Sequence, residues 1–587
     1  MVWRSVGLSI AYMAAVFWTS VAGPLSQRPS TELMIADCEP GLYGGRLVVA
    51  QRAEPKTLDP VFAVDNPSRE VIRLMNADLI HINRYSQKTE PALAKSWTVT
   101  KDGRRYTLQL RKGVVFSNGH PMDADDVLFS FQVYLDEKNN SPQRDLLLVD
   151  GKPITVVKTS SHSIEVELAQ PYAAAERLFD SIAILPRHLL EKAYRDGELA
   201  RTWGLTSSAS QIAGLGPFRL KEYLPGDRIL LERNPYYWKT DRKGNRLPYL
   251  NEVVLLFAGS EDAQVLRFEA GETDIVSRLS PENYSILAKD QDRKGYRLYD
   301  LGPGLEYNFL FFNLNNLKDV PQTTRKQAWF RQRAFRQAVS AAVDREAIAR
   351  LVYKGRAAPL WGLVTPGNKL WVNAGLSRPP RSIAKARELL SGAGFKWNSR
   401  GMLLDASGEI VDFTIASSAG NAARMQIAAM IQADLGDLGM QVHVVPLEFR
   451  SLLDRILKSY DYEACILSLA GGDADPNPEM NVLVSSGSTH LWHPAQKQPA
   501  TPWEAEIDRL MQQQMSAVEY ADRKRLYDRV QQLMAEELPL ICLASPNILV
   551  GAKSGLANFR PAILDDYVLW NIETLSWKKS GSAKNKL

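Results

Sequence analysis

The sequence predicts a mixed α/β protein of more than one lobe, and three observations carry that expectation. Segments with strand-like and helix-like hydrophobic spacing interleave along the chain. The length, 587 residues, corresponds to about four domain-sized units of roughly 150 residues. Apolar residues at 45% and charged residues at 23% are globular averages and allow a sizeable core. That composition excludes disordered, collagen-like and coiled-coil chains. A net charge of +5, from 71 basic and 66 acidic residues, is too small for a chain of this size to mark a nucleic-acid binder.

The first residues read as an address. Arg4 precedes an apolar run from Val6 to Phe17, and Ser20-Val21-Ala22 supplies small residues where a signal peptidase reads. Residues 1–22 are expected to be a secretory signal, with an uncleaved anchor as the alternative. Residues 23–44, rich in Pro and Gly, are expected to be a loose leader, and 576–587 a disordered tail. The expected location is periplasmic. Cys38, Cys465 and Cys542 allow one disulfide plus a free thiol, or three buried thiols.

The elements follow in order. Arg46–Ala50 is a buried strand, and Ser68–Leu79 carries a helical apolar face. Ser96–Thr100 and Arg104–Arg111 flank Lys101-Asp102-Gly103 as a hairpin, with Tyr106, Leu108 and Leu110 on one face. Asp123 caps a helix whose stripe is Val127, Leu128, Phe131, Tyr134 and Leu135. Phe218–Tyr223 and Arg228–Glu232 form a second hairpin around Pro225-Gly226-Asp227. A helix over Ala263–Phe268 ends at Gly271, and a strand follows at Asp274–Val276. Tyr307–Leu314 is an apolar strand. Helices are expected over Phe335–Val343 and Arg345–Val352 with Asp344 as the cap between them, and again over Ile383–Leu390 and Ala422–Leu438. Strands at Val442–Val445 and Ala464–Leu469, helices near 503–515 and 520–537, and a strand at Leu540–Ala544 complete the pattern.

Seven of these blocks, in this order, resemble the family 5 extracellular solute-binding proteins, the large peptide-type receptors of ABC importers. The resemblance rests on Leu93-Ala-Lys-Ser-Trp97 through Asp123-Ala-Asp-Asp-Val127, Gly214-Leu-Gly-Pro-Phe218, Asn234-Pro-Tyr-Tyr-Trp238 and Gly271-Glu-Thr-Asp-Ile275. It continues through Phe335-Arg-Gln-Ala-Val339, Ala386-Arg-Glu-Leu-Leu390 and Asp473-x-Asp-Pro476, and covers roughly residues 45–575. It implies a two-lobe, hinge-linked fold of the periplasmic-binding type II kind with an extra small α/β subdomain. Lobe I would comprise 45–85, 195–305 and 545–575, the subdomain 86–194, and lobe II 306–544. Tyr307–Asn315 and the segment after Leu540 would cross between the lobes, which close on a ligand.

The implied partners are a short peptide and a membrane permease with its ATPase, the receptor itself being a monomer without a cofactor. An aspartate in Ala470-Gly-Gly-Asp-Ala-Asp-Pro-Asn-Pro478 would hold the ligand's ammonium, Asp473 first and Asp475 second. The family's dipeptide-type order places that aspartate directly after the first glycine with an aromatic before it. Here a second glycine intervenes and Leu469 replaces the aromatic, so oligosaccharide and nickel-complex receptors remain as alternatives. Arg424 opens a helix and suits a carboxylate. Trp361, Trp371 and Trp492 lie in Gly- and Pro-rich loops as candidate walls, and Glu54, Asn66 and Ser68 follow the first strand on the lobe I side.

Motifs for catalysis do not emerge. There is no G-x-S-x-G, H-E-x-x-H or Walker loop, so a secreted hydrolase is the remote alternative and no enzyme is expected. Asp473-x-Asp475-x-Asn477 imitates a calcium loop, but Pro478 and Val484 occupy the glycine and glutamate positions. His490-x-x-His493 is the one other spacing that raises a metal, and none is expected.

Overall fold

The computed structural model describes residues 32–180, 182–315, 321–471, 474–494 and 496–579. The expected signal lies outside them, as do Asp473 and most of the expected tail. One sheet runs through the molecule. Its spatial order is Phe218–Leu224, Arg228–Arg233, Glu252–Phe257, Arg46–Gln51, Ile275–Val276, Leu540–Lys553, Glu306–Phe312, Ala464–Ala470, Asp412–Ser418 and Gln441–Leu447. Tyr296–Pro303 and Ala357–Pro359 also pair with Leu540–Lys553. Arg46–Gln51 runs parallel to Glu252–Phe257, and Asp412–Ser418 runs parallel to both its neighbours. Each parallel set is covered by helices, which is what near-continuous apolar strands require.

The long strand Leu540–Lys553 belongs to both halves. Its start pairs with Glu306–Phe312 and its end with Tyr296–Pro303. Those two partners are separated only by Gly304 and Leu305, so two antiparallel crossings lie side by side. At the change of partner the Gly304 N–H donates to the Pro546 carbonyl at 3.0 Å. The hydroxyls of Thr365 and Ser545 donate to the Gly304 carbonyl at 2.6 and 3.2 Å. Pro546 marks a break by its type, yet the strand continues for seven residues past it. Proline's missing N–H is tolerated there because the strand is leaving one neighbour for another.

Two separate cores sit on either side. One joins Leu47, Val49, Ile229 and Leu255 to Phe116, Phe131, Trp238, Val550 and Leu575. The other is built on Phe309, Phe311, Phe312, Phe335, Phe413, Trp492 and Tyr527. The four-stranded antiparallel sheet Ala94–Val99, Arg105–Leu110, Ser163–Glu167 and Thr155–Ser160, with the helix Ala124–Leu135, shares the first core through Tyr106, Leu108 and Val127. The Asp123 carboxylate accepts from the Asp125 N–H, and Asp126 accepts from the Asp123 N–H, a reciprocal cap.

The leader differs from expectation. Met34–Ile35 pairs in parallel with Lys239–Thr240, and Lys95 holds Glu32 at 2.9 Å, so residues 32–44 are anchored to the first lobe. Cys38, Cys465 and Cys542 are buried and unpaired. Among the described residues no helix is long and apolar enough to cross a membrane.

Candidate functional site

A cavity of about 320 Å³ lies against the first lobe and the small subdomain. The helix Asn66–Met75 forms one wall. Asp65 caps it, accepting from the Ser68 N–H at 2.9 Å, and Pro67 fits its first turn. Its outward residues Arg69, Glu70 and Arg73 therefore face the cavity. The hairpin from Ile80 contributes Asp78, His81 and Arg84, the subdomain contributes Asp180, and Asp566, Tyr567 and Arg278 close the far side.

Protein surrounds Arg73, Asp78 and His81 on all sides. Their side chains nevertheless keep 39, 26 and 22% of their accessible surface. That surface is the wall of the cavity, which is wet and charged with both signs. Arg84 grips both oxygens of Asp180 at 3.2 and 2.8 Å. Burial favours the neutral form of Asp180, but Arg84 and His81 outweigh it and hold the carboxyl far below its usual range. Burial likewise opposes the charge on His81, yet hydrogen bonds to Asp180 and Asp78 raise its pKa to about 9. Burial pushes Asp78 up to about 6. The donor atoms of Asp78, His81 and Asp180 lie within 4.8 Å of one another. Asp180 joins the three through its contacts with Arg84 and His81, and the same three donor atoms are close enough together to hold a metal ion.

Burial raises the Tyr567 hydroxyl pKa, Asp565 adds to the shift, and the charge of Glu306 reaches it as well. Glu306 begins one crossing strand. From the second lobe, Tyr353 feels the same glutamate and, with opposite sign, Arg424. The Arg278 guanidinium sits 5.7 Å from the Tyr567 ring on a left-handed backbone, φ 56°, uncommon for a residue with a side chain.

The residues singled out from sequence fall into distinct groups. Asn66 is exposed at the helix start and lines the cavity. Arg424 is half-buried, donates to the Ser468 hydroxyl at 3.0 Å, and leaves its Nε without a partner. Trp361 is half-buried and donates to the Pro379 carbonyl at 3.1 Å. Glu54 caps the hairpin turn, accepting from the Tyr223 hydroxyl and the Gly226 N–H, and these bonds lower its pKa.

The remaining four are engaged by neighbouring side chains and backbone within the protein. Asp475 is turned inward, both oxygens held by Arg523 at 2.9 and 3.1 Å. Trp371 covers that pair, 4.8 Å from the guanidinium, and packs on Tyr520 and Tyr527. Trp492 is fully buried and donates to Glu504. The His490 ring lies 3.9 Å from it, tilted by 51°, and is fully buried, while His493 is half-buried. Ser68 is fully buried and accepts from the N–H groups of Lys56 and Thr57. Sequence reading missed Arg73, His81, Arg84, Asp180, Arg278 and Tyr567. Only Asp78-x-x-His81-x-x-Arg84, a run of charges inside an apolar pattern, could have signalled any of them.

Similarity to known proteins agrees with this architecture. The model of the bacterial extracellular solute-binding proteins, family 5 Middle, matches residues 88–490. A probable ABC transporter-binding protein of Deinococcus radiodurans is 26% identical over 86% of this chain and 87% of its own length. The oligopeptide-binding protein AppA of Bacillus subtilis is 24% identical over 96% of this chain and 97% of its own. Among solved structures, the ABC transporter substrate-binding protein CtaP from Listeria monocytogenes superposes with a TM-score of 0.73 at 21% identity, covering 91% of this chain and 99% of that one. With the family model matched over residues 88–490, the chain belongs to the bacterial extracellular solute-binding proteins of family 5.

Proposed function

We propose that this protein captures short peptides outside the cytoplasmic membrane and delivers them, chemically unchanged, to a permease driven by a cytoplasmic ATPase. The observation that carries this reading is the cavity with walls of both signs against the first lobe and the small subdomain. A peptide is a zwitterion with many main-chain donors and acceptors, and such a wall can meet both of its ends. The name of the Bacillus subtilis relative, an oligopeptide-binding protein, points the same way.

In this reading the lobes divide as 45–85, 195–305 and 545–575 against 306–544, with 86–194 as the appended subdomain. The chain is secreted by a cleaved signal, works in the periplasm as a monomer, and catalyses nothing. Asn66, Arg278 and Tyr567 touch the ligand from the first lobe and Arg424 from the second, because closure needs a ligand that contacts both. A ligand at 100 times its dissociation constant adds about 2.7 kcal/mol of stability. Thermal melts with trialanine, tetra-alanine, cellotriose, mannotriose and nickel chloride test the reading. A shift with the peptides is expected, and a shift confined to the sugars or to nickel overturns it.

A further inference from the structure

We infer that Gln87 is a latch that holds the two lobes shut. It sits at the tip of the hairpin Ile80–Pro91, where the first lobe passes into the appended subdomain and a polar residue would ordinarily face solvent. Instead its side chain is fully buried and reaches the second lobe. The amide Nε2 donates to the Gly367 carbonyl at 2.8 Å, and Oε1 accepts from the Lys369 N–H at 2.9 Å. One carboxamide thus engages alternate backbone groups of a single segment, the way a neighbouring strand would.

Everything around Gln87 prepares that contact. Its backbone is left-handed, φ 64°, a conformation that costs a side-chain-bearing residue free energy and persists where the surroundings enforce it. The enforcement is visible. The Asn83 carbonyl accepts from the Gln87 N–H at 2.8 Å, and Asn83 Oδ1 accepts from the N–H groups of Tyr85 and Ser86. The base of the hairpin is held by Asp180, which accepts from the Ile82 N–H at 2.6 Å and from Arg84. The same Asp180 lines the cavity.

The receiving segment is equally committed. A Cβ on Gly367 would collide with the carbonyl oxygens of Pro303 and Gly304, so this segment lies directly on the crossing. Asn368 donates to the Ala474 carbonyl at 3.0 Å, and Lys369 Nζ donates to the Tyr85 carbonyl at 3.2 Å. Cavity wall, hairpin, hinge and the 474 loop are therefore joined through one side chain. Any motion that parts the hairpin from this segment breaks both Gln87 bonds together.

The test is hydrogen exchange on the purified chain, Gln87→Ala against wild type, read at the Lys369 amide with the Leu310 and Ile541 amides as references. Two buried hydrogen bonds predict exchange at Lys369 faster by roughly tenfold or more in the variant, with the reference amides unchanged and a larger radius of gyration by X-ray scattering. Gln87→Glu keeps the acceptor for Lys369 but faces Gly367 with a carboxylate, and intermediate exchange is expected. Equal exchange at Lys369 in wild type and Gln87→Ala overturns the latch. No ligand is added, so that failure would leave the peptide reading untouched, and failure of the peptide melts would leave the latch untouched.

Discussion

Two Arg–Asp pairs, one in each lobe, have nearly the same geometry and different uses. Arg84 holds Asp180 with side chains 7 and 5% exposed, and Arg523 holds Asp475 with side chains 6 and 4% exposed. The second pair is packed within the second lobe and borders only a small cavity of about 20 Å³. Trp371 covers the guanidinium, and Gln514 and Asn477 fill its remaining reach. The first borders the cavity, next to His81 and Asp78, whose side chains retain accessible surface. A buried charge pair is thus a structural cross-link or part of a binding wall according to what lies on its open side, and the pair itself does not say which.

The sharpest way to break this comparison is to remove one arginine from each pair. Arg523→Ala strands the buried Asp475 carboxylate without its cation, and a loss of about 3–5 kcal/mol is expected in urea unfolding. Arg84→Ala leaves Asp180 beside a wet cavity and the protonated His81, so a smaller loss of about 1–3 kcal/mol is expected. Equal losses would show that the cavity does not solvate its wall.

The next effect separates the lobes by pH. His81 rises from 6.5 to about 9 on folding, so it binds its proton more tightly in the native state. Its contribution is full below pH 6.5 and is lost as pH rises through 9, by up to about 3 kcal/mol. Glu504, in the second lobe, behaves oppositely. Burial would raise it, but bonds from His490, Thr501 and Trp492 bring it down to about 2. Its contribution is full above pH 4.5 and is lost as pH falls through 2. Unfolding curves across pH for His81→Gln should lose only the alkaline decline, and those for Glu504→Gln only its share of the acid one. The smallest effect is expected at Glu54→Gln. Its carboxylate is exposed at a hairpin turn, and stability within about 0.5 kcal/mol of wild type is expected by the same curves.

Local rules made much of the fold legible. Asp123 and Asp344 sit at their helix starts and accept the expected backbone bonds. The alternation Tyr106, Leu108, Leu110 is buried as its period demands. The order of seven motif blocks pointed to two lobes and two crossings. Elements fixed by distant partners were harder. Tyr296–Pro303 alternates weakly because it lies partly exposed on one edge of the long strand, and the continuation past Pro546 depends on a change of neighbour.

The site was less legible than the fold for the same reason. Asp475 looks like a free loop aspartate until Arg523, 48 residues later, is placed beside it. Trp371 and Trp492 sit in loops that pack inward, which loop composition does not reveal. The cavity wall is collected from the helix Asn66–Met75, the hairpin after Ile80, Asp180, Arg278 and the 565–573 segment, and no local spacing links them.

The central claim is that the wet, charged cavity of the first lobe receives a peptide. Its most direct test is mass spectrometry of whatever small molecule is released on denaturing the protein purified from the periplasm, compared between wild type and Arg278→Ala. Peptide masses near one equivalent in wild type, reduced at least tenfold in the variant, are the predicted result. Oligosaccharide masses, or equal peptide loads in both proteins, would contradict it.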